Sequence, residues 1–277
     1  MNKNANIHKY LRLDKYPTIW CAGCGNGQVL GALLRAIDTL KLDQDKVVVV
    51  SGIGCSSRAS GYLDFNTMHT THGRPLAFAT GIKLANPDLH VIVLAGDGDT
   101  TAIGGNHLIH AARRNIGITT VIFNNGIYGM TGGQCSPMTG KGCKATTAPL
   151  GNLDTPFDIC ELARAAGATF VARGVTYAPV KLEAMMTKAL EHNGFSVIDC
   201  ITQCPTYYGR LNKMGKAVDM LEWQKEHTIT LEKAQSLPPH TLKEKIITGI
   251  YVNKLRGEYT ERYRKLHNQC GKDESRD

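Results

Sequence analysis

Aromatic residues are scarce in this chain: 6% of 277 residues, with two tryptophans. Apolar runs are short as well. No stretch approaches the roughly 20 consecutive apolar residues of a membrane helix, so no membrane segment is expected. The polar opening from Met1 to Asp14 holds no apolar signal core, so a cytoplasmic protein is expected. No internal repeat or low-complexity tract is present. Acidic residues are outnumbered, 24 against 32 lysines and arginines, for a net charge of +8. That excess could draw nucleic acid, but no basic stripe interleaved with aromatics and no recognition motif accompanies it, so nucleic acid is not an expected partner. Surface lysines on a solvated helix are the ordinary source of such an excess, and a partner with an acidic surface, such as a ferredoxin, would be steered in by the same field.

What is present describes a globular α/β chain with one large core: 42% hydrophobic residues, 20% charged and 29 glycines. The pattern predicts helix 27–40, strand 47–50, a long loop 51–74, a helical stretch 78–85, strand 90–95, helix 104–115 and strand 118–123. An irregular segment 129–154 follows. Beyond it come helix 157–166, strand 168–172, helix 179–192 and strand 195–201. Alternation of this kind predicts a doubly wound, mostly parallel sheet with right-handed crossovers. Residues 1–204 form the expected main domain. Past Pro205 the alternation stops, and a basic helix is expected over 242–266, so 205–277 read as a helical extension that docks a subunit.

The most telling segment is Gly96-Asp97-Gly98-Asp99, because an apolar, β-branched strand breaks off at a glycine and then delivers two carboxylates. The next strand stops at Asn124-Asn125-Gly126-Ile127-Tyr128-Gly129. In an open parallel sheet, ligands bind beyond the carboxyl ends of the strands, so Asp97 and Asn125 can share one ligand. Mg²⁺ fits the pair: it takes hard oxygen ligands, here Asp97, the Asn125 amide and the Ile127 carbonyl, and completes its shell with phosphate oxygens. Gly96, Gly98 and Gly129 let phosphates approach closely. A lone Gly-Asp-Gly more often marks an ordinary turn. The second strand end is what shifts the reading to a metal-bound diphosphate.

Nine cysteines, an odd number with a Cys-x-x-Cys pair and no secretion signal, argue for metal or redox chemistry over a disulfide scaffold. Cys21 and Cys24 sit in a glycine-rich turn before a helix, Cys55 follows the 47–50 strand, and Cys204 or its neighbour Cys200 lies at the end of the 195–201 strand. Four thiolates suit either a 4Fe-4S cluster or a structural zinc. Cys135, Cys143, Cys160 and Cys270 read as small buried or partly buried thiols, with oxygen sensitivity left open at Cys135.

Together these motifs, extended by Tyr128-Gly129-Met130-Thr131-Gly132-Gly133-Gln134 and Ser136-Pro137, resemble the thiamin diphosphate signature as it occurs in the β subunits of the 2-oxoacid:ferredoxin oxidoreductases. Among these, the 2-oxoglutarate-using members are most similar, over Trp20 to about Tyr208. The resemblance implies that Cys21, Cys24, Cys55 and Cys204 ligate a 4Fe-4S cluster. It also implies that Ile53, Gly54, Cys55, Ser56, His72, Gly96, Gly98, Asp99, Gly129, Met130 and Thr131 hold thiamin diphosphate. His72 would lie against the diphosphate, and Arg58 would meet the substrate, where its guanidinium suits the distal carboxylate of 2-oxoglutarate.

The implied reaction joins 2-oxoglutarate, coenzyme A and oxidised ferredoxin to give succinyl-CoA, carbon dioxide and reduced ferredoxin, or runs in reverse. The implied partners are an α subunit, which supplies the pyrimidine-binding domain and its Glu, and small ferredoxin-like γ or δ subunits. Relatives often carry Lys where this chain has Gly132, which keeps pyruvate and branched-chain 2-oxoacids open as substrates. Two readings of a different kind also stay open: a non-oxidative thiamin diphosphate lyase, which needs no cluster, and a zinc-stabilised scaffold subunit.

Overall fold

The computed structural model describes residues 6–273, without the side chains of 270–273. Its strands are β1 (Val47–Ser51), β2 (Asn66–His69), β3 (His90–Gly96), β4 (Ile118–Asn124), β5 (Ile127–Tyr128), β6 (Gln134–Cys135), β7 (Phe170–Val175), β8 (Ser196–Ile201), β9 (Thr228–Thr230) and β10 (Ile246–Asn253). The helices are α1 (Asn26–Leu40), α2 (Ala59–Tyr62), α3 (Pro75–Ala85), α4 (Asp97–Thr101), α5 (Gly105–Arg114), α6 (Ile159–Ala165), α7 (Pro179–Glu191), α8 (Ala217–His227), α9 (Leu231–Gln235) and α10 (Tyr259–Asp273). Eight strands form one sheet in the order β2-β1-β3-β4-β8-β7-β10-β9, and β5 pairs with β6 apart from it. All pairings in the large sheet are parallel except β10 with β7.

Because side chains alternate across a strand, β1, β3 and β4 feed two cores. Val47, Val49, Ile92, Leu94, Val121 and Phe123 pack on the face covered by α1 and α7. Val48, Val50, Val91, Val93, Ile118 and Ile122 pack on the face covered by α3, α5 and α6. Burial on both faces explains why these strands read as continuous β-branched runs. The chain runs from β1 out to β2 and from β3 across to β4, so the switch in direction opens a crevice at the carboxyl ends of β1, β3 and β4.

The doubly wound, mostly parallel sheet is the fold expected from sequence, and three elements correct the details. Strand β2 lies inside the expected 51–74 loop as the exposed edge of the sheet. Residues 242–266 are not one helix: Ile246–Asn253 form β10, which extends the sheet antiparallel to β7, and helix begins again at Tyr259. The β-branched run Ile246-Ile247-Thr248 favours strand over helix. Finally, α6 starts at Ile159 because Asp158 caps it, accepting from the Glu161 N–H at 3.1 Å. Among the described residues no helix is long and apolar enough to cross a membrane.

Candidate active site

Strand β3 ends as a helical turn begins at Asp97, and this puts two carboxylates under the crevice. Asp97 is fully enclosed: the Ser136 hydroxyl donates to its Oδ2 at 2.7 Å, and the Gly98 and Gly126 N–H groups also point at the carboxylate. Burial nevertheless pushes its pKa up to about 6, helped by the charge of Asp199, so an uncompensated carboxylate is costly here. A cation would relieve that cost. Asn125 stands at the end of β4, its Oδ1 accepting from the Ile127 N–H at 3.1 Å. Gly98 must be a glycine, since a β-carbon there would sit 2.2 Å from the Tyr128 ring.

Asp99 points the other way. Its Oδ1 takes the His72 Nδ1–H at 2.6 Å and the Gly73 N–H at 2.6 Å, while its Oδ2 is buried without a partner. Burial raises its pKa, and the bonds from Gly73 and His72 pull it back. The Tyr128 ring meets the His72 ring edge-on at 5.9 Å between centroids.

These groups line a cavity of about 180 Å³. Around it stand Ile53, Gly54, Cys55 and Ser56 from the β1 end, His72, Gly96 to Asp99 from the β3 end, and Asn125, Ile127, Gly129, Met130 and Thr131 from the β4 end. Fourteen residues expected from the motifs and from the resemblance line this one cavity. Phe123 and Tyr128 join them without having been singled out as site residues. Ser136, the hydroxyl partner of Asp97, was missed as well, because a lone Ser-Pro after a glycine loop carries no chemical signal of its own. Arg58 is exposed on the turn that follows Cys55 and does not line the cavity. Gly132 has φ of +118°, a conformation in which lysine would be strained, so its identity is tied to the shape of this loop.

The thiols gather beside the same cavity. A β-carbon on Gly129 would lie 3.4 Å from Cys55 Sγ and 3.9 Å from Cys204 Sγ. Cys24 is pushed up to about 12 by burial and by the nearby charges of Cys204, Cys55 and Cys21. Cys55 is raised to about 11 by burial and by Cys204 and Cys21. The Asn26 N–H points at the Cys24 sulfur and the Met130 N–H at the Cys55 sulfur. Cys200, in contrast, is fully buried in the sheet core facing α1 and α7. Trp20 Nε1 donates to the Cys55 carbonyl at 2.7 Å, tying the Cys21–Cys24 turn to the Cys55 turn. Among the described residues, no three His, Cys, Asp or Glu side chains are grouped to hold one metal ion. The side chain of Cys270 lies outside the described residues.

Comparison with known proteins agrees with this geometry. Residues 52–200 match the thiamine pyrophosphate enzyme family, C-terminal TPP binding domain. The 2-oxoglutarate synthase subunit KorB of Methanocaldococcus jannaschii is 51% identical over 93% of this chain and 96% of its own. That of Archaeoglobus fulgidus is 48% identical over 99% of this chain and 98% of its own. The 2-oxoacid:ferredoxin oxidoreductase subunit beta of Saccharolobus solfataricus is 47% identical over 68% of this chain and 62% of its own. A solved 2-oxoglutarate:ferredoxin oxidoreductase from Magnetococcus marinus, with 2-oxoglutarate, coenzyme A and succinyl-CoA bound, superposes with a TM-score of 0.86 at 34% identity, covering 97% of this chain and 92% of that one. Similarity therefore runs past Tyr208, where the sequence motifs end, and takes in β9, β10 and the helices around them. A diphosphate-binding crevice, a thiol set beside it and near-full-length likeness to these subunits converge: the chain belongs to the 2-oxoacid:ferredoxin oxidoreductase β-subunit family.

Proposed function

We propose that this chain is the thiamin diphosphate-binding β subunit of a 2-oxoglutarate:ferredoxin oxidoreductase. The observation that carries the reading is Cys55, which lines the diphosphate cavity and also stands beside Cys204 among the thiols. One residue borders both sites. Electrons leaving a cofactor in the cavity would thus meet the thiol-bound centre without crossing the protein.

The site fits its groups. Asp97, raised by burial, together with Asn125 and the Ile127 carbonyl, offers the hard oxygens that Mg²⁺ takes. When bound, thiamin diphosphate supplies a carbanion that attacks the 2-oxoacid carbonyl and an electron sink once carbon dioxide leaves. The chain positions and holds charge. His72, its Nδ1 fixed on Asp99, keeps Nε2 for the cavity, and Gly98 leaves room for Tyr128 to wall it.

Cys21, Cys24, Cys55 and Cys204 would ligate a 4Fe-4S cluster. Zinc at about 2.3 Å from each sulfur would pull tetrahedral thiolates to roughly 3.8 Å of one another. The likeness to ferredoxin-reducing relatives, whose carriers take one electron at a time, favours the redox-active cluster over zinc.

For each 2-oxoglutarate and coenzyme A, two oxidised carriers each accept one electron, giving succinyl-CoA, carbon dioxide and one proton. A partner α subunit supplies the carboxylate for the aminopyrimidine. The test is reduction of a viologen by the assembled complex. It should require both coenzyme A and 2-oxoglutarate, and pyruvate should be a poor substitute; equal or faster reduction with pyruvate would move the substrate assignment while leaving the family in place.

A further inference from the structure

Two segments beside the thiols carry five cations and no carboxylate. Residues 138–152 hold Lys141 and Lys144, and residues 203–216 hold Arg210, Lys213 and Lys216, in a chain with 24 acidic residues elsewhere. All five are exposed, and none belongs to the ion pairs found among the described residues. The segments are stitched into one surface. The Lys144 N–H donates to Asn212 Oδ1 at 2.7 Å, Asn212 Nδ2 donates to the Lys144 carbonyl at 3.0 Å, and the Tyr208 hydroxyl donates to Cys143 Sγ at 3.2 Å.

The second segment contains Cys204 and packs on the Cys21–Cys24 turn, where a β-carbon on Gly23 would meet Pro205 Cγ at 3.7 Å and Ala217 Cβ at 2.4 Å. Cys21 itself is exposed. A positive surface thus borders the solvent-facing edge of the thiol set.

Asp219, which accepts from the Lys216 N–H, is the one carboxylate shown against these five cations; the remaining like charges repel one another, and an anionic partner relieves that repulsion while being steered in by the field. We propose that this surface docks an acidic one-electron carrier protein, seating it beside the Cys21–Cys24 turn. The inference rests on the redox reading above and names the face through which electrons leave. Each docking passes one electron to an oxidised carrier, so two dockings serve each 2-oxoacid. The cations are spread over two open segments, which suits a protein surface better than a single phosphate group.

The test uses the assembled complex carrying Lys213→Glu/Lys216→Glu, with Lys181→Glu/Lys188→Glu on α7 as a charge-matched control. Steady-state kcat/KM is measured for an acidic ferredoxin-type carrier at low and high salt, and for a viologen as a small second acceptor. The expected result is a fall of about tenfold or more for the carrier at low salt, a flattened salt dependence and an unchanged viologen rate, with the α7 control like wild type. The viologen rate doubles as the folding control, and Lys141→Gln/Lys144→Gln repeats the test if the first variant misfolds. An unchanged carrier rate with intact viologen reduction overturns the docking surface and leaves the redox reading standing. A raised KM for coenzyme A with the carrier unaffected overturns it in favour of nucleotide phosphates. No 2-oxoacid-dependent viologen reduction by the wild-type complex overturns the redox reading itself.

Discussion

His72 Nδ1 lies 2.6 Å from Asp99 Oδ1, on the same oxygen that takes the Gly73 N–H. This pair joins the loop after β2 to the end of β3, and it fixes which imidazole nitrogen is left for the cavity. A charge-assisted bond of this kind contributes about 1.5–3 kcal/mol.

Replacing Asp99 by Ala therefore weakens thiamin diphosphate binding by roughly 10- to 150-fold, and His72→Ala weakens it in the same direction. Asp99→Asn keeps an acceptor for both donors and should lose less. Calorimetric titration of the cofactor into the complex, with excess Mg²⁺, reads the difference; equal affinities in all three variants would remove the pair from the binding site.

Asp97 gives a pH signature in the metal-free chain. Its pKa is raised by burial from 3.8 to about 6, so the folded state holds the proton more tightly than the unfolded chain. The stability this contributes is fully present below pH 3.8 and is lost as pH rises through about 6. Asp97→Asn, which carries no such charge, should gain stability relative to wild type across that window, and Mg²⁺ with cofactor should stabilise only the wild type. Denaturant melts at pH 4.5 and 7 test this, and a constant difference between the two proteins would contradict it.

The two cysteines at the end of β8 separate cleanly. Cys204→Ser should abolish the visible absorbance and most of the iron of the anaerobically purified complex, because its sulfur stands beside Cys55. Cys200→Ser should keep the iron and lose stability instead, since Cys200 is buried in the core facing α1 and α7. Iron and sulfide analysis of both variants decides between them.

Arg173 anchors the far side of the sheet. It donates from Nε to the buried Asp199 at 2.7 Å and from Nη2 to Asp158 at 2.7 Å, while Asn124 Nδ2 donates to the other Asp199 oxygen at 3.0 Å. Removing the guanidinium leaves a buried carboxylate without its counter-charge, and Arg173→Ala should cost about 3–5 kcal/mol. A loss under about 1 kcal/mol in denaturant unfolding would show that Asn124 alone satisfies Asp199.

Much of this was legible in sequence because the central strands announce themselves. Val47–Val50, Val91–Ala95 and Ile118–Phe123 are buried and largely apolar on both faces, and each breaks off at a site-forming turn, so strand, sheet type and crevice follow from one pattern. The misses have physical causes. Strand β2, Asn-Thr-Met-His, is a polar edge strand held by pairing to β1, and nothing in its own composition demands that pairing. Strand β10 was hidden by the lysines before it and the charged helix after it, although its β-branched residues spoke for a strand. Ser136 reaches Asp97 only through the fold of the 129–154 loop, a contact 39 residues apart in sequence.

A thiamin diphosphate site and a thiol-bound cluster that share Cys55 should work together on 2-oxoglutarate. Electron paramagnetic resonance tests it most directly, on the complex purified anaerobically through this chain and frozen before and after adding 2-oxoglutarate, with pyruvate as the comparison. A radical or reduced-cluster signal that appears with 2-oxoglutarate and not with pyruvate is the predicted result. The absence of any iron-sulfur signal, even after dithionite, would contradict the account.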